Sequence, residues 1–257
     1  MKYYVAADVH GFFEEFRSAL EEQGYFSDPE PHKLILCGDL FDRGPQARQL
    51  QAFVLDLLER DQVLLIRGNH EDLALELLRS WHRGSYREPH HIANGTVDTV
   101  CQLTGASREE LDQNPEEVGR KFLRTPYVQT LIPAMGDYYE TPRHIFVHGW
   151  IPCAVIRYSP YVAEYLYQED WRQADKAAWA KARWINGMEA AHGGVREEGK
   201  TIVCGHWHCS FGHACYEGRG EEFGKEADFS PYRGEGVLAL DGCTALSGKV
   251  NCVVIRD

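Results

Sequence analysis

The chain has 257 residues, 44% of them apolar, and a formal charge of −12 from 27 basic and 39 acidic side chains. That length suits one large domain, or one domain carrying an insertion, and the apolar fraction is enough for a well-buried core. The acidic balance, with no lysine- or arginine-rich tract, excludes a nucleic-acid backbone as the main partner; an anionic ligand has to be attracted locally, by metal ions and a few arginines. No apolar run approaches the ~18 residues of a membrane span, and the first motif starts at Asp8, so neither a membrane span nor a signal peptide is expected. The eight cysteines form no CxxC pair. Cys37, Cys204 and Cys252 sit inside apolar runs and read as reduced core residues, so a reducing, cytoplasmic setting is expected.

In chain order, the first third alternates between two periodicities. Tyr3–Ala7, Lys33–Cys37 and Gln62–Ile66 are short apolar runs bounded by glycine or charge, as buried strands are. Between them, Phe12–Gln23 repeats Phe13, Phe16 and Leu20 at helical spacing, and Pro45–Arg60 does the same with Leu50, Phe53, Val54, Leu57 and Leu58. This β-α-β-α-β pattern predicts an α/β fold with a parallel or mixed sheet sandwiched by helices. Ligands of such sheets gather at the carboxyl ends of the strands. Three short words fall there: Asp8-Val9-His10-Gly11, Gly38-Asp39-Leu40-Phe41-Asp42-Arg43-Gly44 and Gly68-Asn69-His70-Glu71.

Residues 72 to about 140 are polar and helical and predict a cap inserted into the single domain spanning 1–257. Ser107-Arg-Glu-Glu110 is a capping box, and Asn114-Pro115-Glu116-Glu117 stacks a cap residue, a first-turn proline and first-turn acids. Strands resume at Ile145–Val147, Thr201–Cys204, Val237–Leu240 and Val250–Ile255, with helical segments expected over roughly 160–191. The glycine- and charge-rich run 217–236 reads as a long flexible loop.

Two divalent ions a few ångströms apart need about seven side-chain ligands, with a carboxylate bridging both. Asp8 and His10, two residues apart on an extended strand end, project to the same side. Asp39 ends the second strand and is the natural bridge, Asn69 offers a neutral amide oxygen, and His148 and His206 end later apolar strands. Oxygen and imidazole donors without thiolate suit manganese first, and also iron, zinc or magnesium.

The ordered set resembles the metallophosphoesterase superfamily, and within it the phosphoprotein-phosphatase branch of bacterial serine/threonine phosphatases, with Ala7 in place of the usual first glycine. The resemblance covers almost the whole chain, and Asn94-Gly95-Thr96-Val97-Asp98-Thr99 looks like the N-G-x-x-x-T element of bacterial caps. It implies central mixed β-sheets sandwiched by helices. It assigns Asp8, His10 and Asp39 to one ion, and Asp39, Asn69, His148 and His206 to the other. It makes His70 the general acid with Asp42 behind it, and Arg43 a fork onto phosphate. A second arginine is expected between the two late histidines: Arg183 is favoured over Lys181, Arg67 reads as structural, and Arg157 stays open. His208 and His213 read as turn histidines, His90-His91 as a solvated loop pair, and Asp241 equally as a buttress or a turn residue.

The implied reaction is direct in-line hydrolysis of a phosphomonoester by water activated between the metals, without a covalent phosphoenzyme. Glu71 and the D-R-G ending favour phosphoserine or phosphothreonine in proteins as substrate. A symmetrical dinucleoside polyphosphate hydrolase, or another small-molecule phosphatase, is the alternative; a non-catalytic phosphate-binding scaffold is a third reading that the intact ligand set disfavours. Expected partners are a phosphorylated protein or small phosphoester, with neither nucleic acid nor membrane, and the chain is expected to be a monomer.

Overall fold

The computed structural model describes residues 1–159 and 162–257. Its strands are β1 (Lys2–Ala6), β2 (His32–Cys37), β3 (Val63–Ile66), β4 (Tyr139–Glu140), β5 (His144–Phe146), β6 (Ala154–Ser159), β7 (Val162–Leu166), β8 (Thr201–Cys204), β9 (Tyr232–Gly234), β10 (Val237–Ala239) and β11 (Cys252–Arg256). They form two mixed sheets and a hairpin. The first sheet has the order β11-β1-β2-β3, and the second β4-β5-β8-β10-β9; β6 and β7 pair with each other. Within each sheet three strands run parallel (β1, β2 and β3 in one, β5, β8 and β10 in the other), while β11, β4 and β9 add antiparallel edges.

The period of two along each strand explains the layering. Tyr3, Val5, Ile35 and Cys37 face the second sheet and pack with Phe146, Val203, Leu238 and Leu240. Their neighbours Tyr4, Ala6, Leu34 and Leu36 face the opposite way, into a cluster formed with helical residues such as Phe16, Leu50 and Val54. On the far side of the second sheet, Ile145, Val147, Ile202 and Cys204 pack with Trp150, Trp171, Trp179 and Met188. Strands buried on both faces read as unbroken apolar runs, which is why they were visible in the sequence.

The helices are α1 (Phe13–Glu22), α2 (Ala47–Glu59), α3 (Asn69–Arg79), α4 (Pro89–Ala93), α5 (Thr96–Thr104), α6 (Arg108–Gln113), α7 (Pro115–Leu123), α8 (Ile132–Ala134), α9 (Lys176–Ala182), α10 (Gly187–His192), α11 (Cys209–Tyr216) and α12 (Thr244–Ser247). The stretch expected to form a cap is helical, and its Tyr86, Val97, Val100, Phe122 and Tyr127 join the same buried cluster as β1 and β2. Ser107 caps α6, its hydroxyl accepting from the Glu110 amide at 3.0 Å. All eight cysteines are free, and among the described residues no helix is long and apolar enough to cross a membrane.

Two expectations are corrected. The helical reading of roughly 160–191 holds for a 3-10 turn at Trp171–Gln173 and for α9 and α10; Val162–Leu166 is the second arm of the β6–β7 hairpin, whose alternation was masked by Glu164 and by tyrosines that suit either element, and residues 160–161 lie outside the described ones. The 217–236 run is irregular only until Tyr232, where β9 begins and pairs with β10. His208 and His213 hold that irregular segment: His208 Nε2 lies 2.9 Å from Glu222, and His213 lies 2.8 Å from Glu217 and 3.0 Å from the Ser230 carbonyl.

Candidate active site

The parallel strands end on one edge of the double sheet, and each end delivers a polar side chain into one buried pocket. Asp8 and His10 follow β1, Asp39 follows β2, Asn69 opens α3 just after β3, His148 follows β5 and His206 follows β8. All are buried except His206, which is partly so. The Asp39 carboxylate stands between two groups of donors. Its Oδ2 lies 3.7 Å from His10 Nε2 and 3.8 Å from His70 Nε2, and its Oδ1 lies 3.4 Å from His148 Nε2. Asn69 Oδ1 is 2.7 Å from His148 Nε2 and 3.0 Å from His206 Nδ1.

The donor chemistry fits a pair of divalent cations. Two trios, His10–Asp39–His70 and Asp39–His148–His206, each place their donor atoms within 4.8 Å of one another and share Asp39. Main-chain carbonyls fix the tautomers: Nδ1 of His10 donates to Phe41 O at 2.9 Å and Nδ1 of His148 to Cys37 O at 2.8 Å. Each ring therefore turns its Nε2 toward the pocket, the nitrogen through which a neutral imidazole would bind a metal. Burial, then His70 and Arg43, depress the His10 pKa, and burial with His148 takes His206 down to about 3. Asp8 is pushed upward by burial and by Asp241 and Asp39.

The backbone is strained where it meets this pocket. Asp8, His10, Asp39, Asp42, Arg43 and His206 all have φ between +50° and +76°, a region that costs a non-glycine residue about 1–2 kcal/mol. Two glycines permit the close approach. A Cβ on Gly68 would collide with the Asp39 carboxylate, and one on Gly205 with that of Asp8.

His70 is buried in the pocket, and Arg43 is exposed beside it. His70 Nδ1 donates to Asp42 Oδ2 at 2.7 Å. Both Asp42 oxygens are held from behind, by Thr96 at 2.8 Å and Thr99 at 2.7 Å. The Asn94–Thr99 segment is thus the strut of that carboxylate. Burial works against the imidazolium of His70, but Asp39 and Asp42 outweigh it and raise its pKa. Arg43 donates to His10 Nε2 at 2.9 Å and lies 3.2 Å from His70 Nε2, so its fork here spans the two imidazoles.

Other residues take places the sequence did not indicate. Arg183 does not present a free fork to the pocket. One guanidinium nitrogen pairs with Asp72 at 2.7 Å and the other with Asp137, because a guanidinium this deeply buried needs paired carboxylates. In this structure both arms of its fork are taken by carboxylates, and Arg43 is the guanidinium that lies against the pocket's imidazoles. Arg67 holds the same Asp72 at 2.7 Å, the structural role expected of it. Lys181 on α9 and Arg157 on β6 are exposed. Glu71 is fully buried and accepts from the amides of Gly68, Asp39 and Leu40 at 2.7–3.1 Å; burial, then Asp39, lift its pKa to about 7. It shapes the loop and so says nothing about substrate. Asp241 accepts from the Cys243 amide at 2.7 Å as a turn residue. Trp184, 52% exposed, stands edge-on to His206 with ring centroids 5.7 Å apart; no spacing in the sequence marked it.

A family model described as calcineurin-like phosphoesterase matches residues 1–226. The asymmetrical bis(5'-nucleosyl)-tetraphosphatase PrpE of Bacillus velezensis is 28% identical over 130 residues, 48% of each chain. The symmetrical bis(5'-nucleosyl)-tetraphosphatase of Aromatoleum aromaticum is 34% identical over 112 residues, 43% of this chain and 36% of its own. The chain therefore spans about half or less of the length of these curated relatives. A cold-active protein tyrosine phosphatase superposes over 99% of this chain and 73% of its own with a TM-score of 0.55 at 15% identity, a likeness of fold alone. Since the family match extends from β1 past His206, and so takes in every strand end that feeds the pocket, the chain belongs to the calcineurin-like phosphoesterase family.

Proposed function

We propose that this chain is a metal-dependent hydrolase cleaving a phosphoanhydride bond of a dinucleoside polyphosphate. The observation that carries this reading is that the curated relatives named above are dinucleoside tetraphosphatases, of both the symmetrical and the asymmetrical kind. It reverses the order of the two substrate classes read from the sequence, and Glu71, one of the two features that favoured phosphoproteins, is now accounted for by loop geometry. The exposed face of Trp184 beside His206 also offers a nucleobase something to stack on.

The ligands are Asp8, His10, Asp39, Asn69, His148 and His206, with manganese the first cation to test. Two divalent ions bound there supply an activated water and neutralise charge on the phosphoryl oxygens. Arg43 sits where its guanidinium can turn from the two imidazoles onto a phosphate, using the same planar fork. His70, oriented by Asp42, faces the leaving oxygen. A departing nucleotide leaves as a stable phosphate anion, whereas a serine alkoxide needs a proton. An anhydride substrate therefore asks less of His70 as a proton donor than an alkyl phosphate does.

The test is to supply manganese and compare diadenosine tetraphosphate with a phosphoserine peptide, identifying the products. The expected result is a larger kcat/KM for the dinucleotide, with two ADP or ATP plus AMP released. A dinucleotide left intact while the peptide turns over would overturn the proposal and restore the phosphoprotein reading.

A further inference from the structure

A second group of potential metal donors lies in the helical segment, apart from the pocket. Glu76 on α3 and His90 and His91 on α4 bring one donor atom each within 4.8 Å of one another. Their sequence neighbourhood suggests a solvated pair of histidines, but the structure separates the two. His90 is exposed, whereas His91 is 1% exposed, and its Nδ1 is buried without a hydrogen-bond partner among the described residues. An unpaired buried nitrogen costs about 1–3 kcal/mol, which a lone pair directed at a cation recovers. The two rings are 3.9 Å apart between centroids.

We propose that Glu76, His90 and His91 form a third metal site, specific for a zinc-class divalent cation, that clamps α4 onto α3. Two imidazoles and one carboxylate are a borderline-soft donor set, matched to zinc and its transition-metal neighbours rather than to magnesium or calcium. With metal–nitrogen bonds of about 2.0–2.1 Å, tetrahedral donors stand roughly 3.4 Å apart, so closure requires modest movement. Glu76 and His90, both exposed, are free to make it, while buried His91 is the fixed anchor. The Glu76 carboxylate makes no ion pair among the described residues, and Glu88 Oε2, 3.5 Å from His90 Nδ1, is placed to orient that ring. Burial, then His90, lowers the proton affinity of His91, favouring the neutral ring a metal requires. Three protein ligands leave a fourth position for water. The position gives the clamp a consequence: α3 begins with Asn69 and His70, and α4 leads directly into Thr96, which holds Asp42.

The experiment is equilibrium dialysis of the folded chain against zinc, counting bound metal by elemental analysis. The variants are Glu76→Gln and His90→Asn, chosen because both positions are exposed, with Glu76→His as a replacement that restores a ligand. The expected result is one more equivalent of zinc on the wild type than on either Glu76→Gln or His90→Asn, and recovery of that equivalent in Glu76→His. Because the readout is a difference, it is independent of how many ions the main pocket takes. Equal zinc on wild type, Glu76→Gln and His90→Asn would overturn the proposal. So would a deficit in Glu76→Gln that Glu76→His does not restore.

Discussion

Asp42 Oδ2 lies 2.7 Å from His70 Nδ1, a buried contact that joins residues 28 positions apart and fixes the ring's orientation in the pocket. If His70 protonates a leaving oxygen, its removal must cost most where the leaving group is a poor one. We expect His70→Asn to lower kcat about 10²- to 10⁴-fold on an alkyl phosphate and distinctly less on p-nitrophenyl phosphate, whose phenolate departs unaided. Equal losses on both substrates would remove His70 from the proton-transfer role.

Thr96 and Thr99 act on His70 at one remove. Each hydroxyl donates to one oxygen of buried Asp42, and Thr99 Oγ1 also accepts from the Asp42 amide at 3.0 Å. Thr99→Val keeps the shape and deletes both interactions, so we expect a loss of about 1–3 kcal/mol in urea unfolding with a fall in kcat rather than a rise in KM. Thr99→Ser should restore most of both. A valine variant with wild-type kcat would show that Asp42 orients His70 without this strut.

Sequence patterns disclosed those parts of the molecule that repeat at short range. Strands buried on both faces announce themselves as apolar runs, and the donors Asp8, Asp39 and Asn69 follow such runs immediately. Arg183 shows where that ends. Its position between the late histidines matched the resemblance, yet its partners Asp72 and Asp137 come from α3 and from the segment before β4, and only tertiary packing selects them. The β6–β7 hairpin was missed for a related reason, since exposed strands lack the apolar run and their alternation competes with helical spacing. Burial likewise decides between His90 and His91, two identical neighbours that the sequence cannot tell apart.

Gly205 tests the metal pocket without replacing a donor. A Cβ there would collide with the Asp8 carboxylate, so Gly205→Ala must displace that ligand or the loop that carries His206. Metal content in the main pocket and turnover should fall together, while far-UV circular dichroism stays at wild-type values. Full metal content in the alanine variant would mean that Asp8 is not a ligand.

Trp184 separates substrate recognition from chemistry. Base–aromatic stacking is worth about 1–3 kcal/mol per base, which corresponds to roughly a 5- to 150-fold change in binding. Trp184→Ala should therefore raise KM for diadenosine tetraphosphate within that range and leave KM for p-nitrophenyl phosphate, which has no nucleobase, nearly unchanged. A parallel rise for both would place Trp184 in the support of His206 instead.

Acid stability should depend on Arg172. Its guanidinium spans Glu140 on β4 and Glu197, at 2.6–2.8 Å, and lies 4.2 Å above the Trp171 ring. The Arg172 hydrogen bonds, reinforced by Lys200 and opposed by burial, bring the Glu140 pKa down to about 2 from 4.5. A carboxyl whose folded pKa lies below its unfolded one stabilises the fold fully above the unfolded value, and that contribution drains away as pH falls through the folded value. The window is thus from about pH 4.5 to about pH 2. Arg172→Met should move the acid-unfolding midpoint, followed by circular dichroism, to higher pH and leave a smaller difference between pH 5 and pH 3. An unchanged acid transition in that variant would show that the ion pair does not tie the edge of the second sheet.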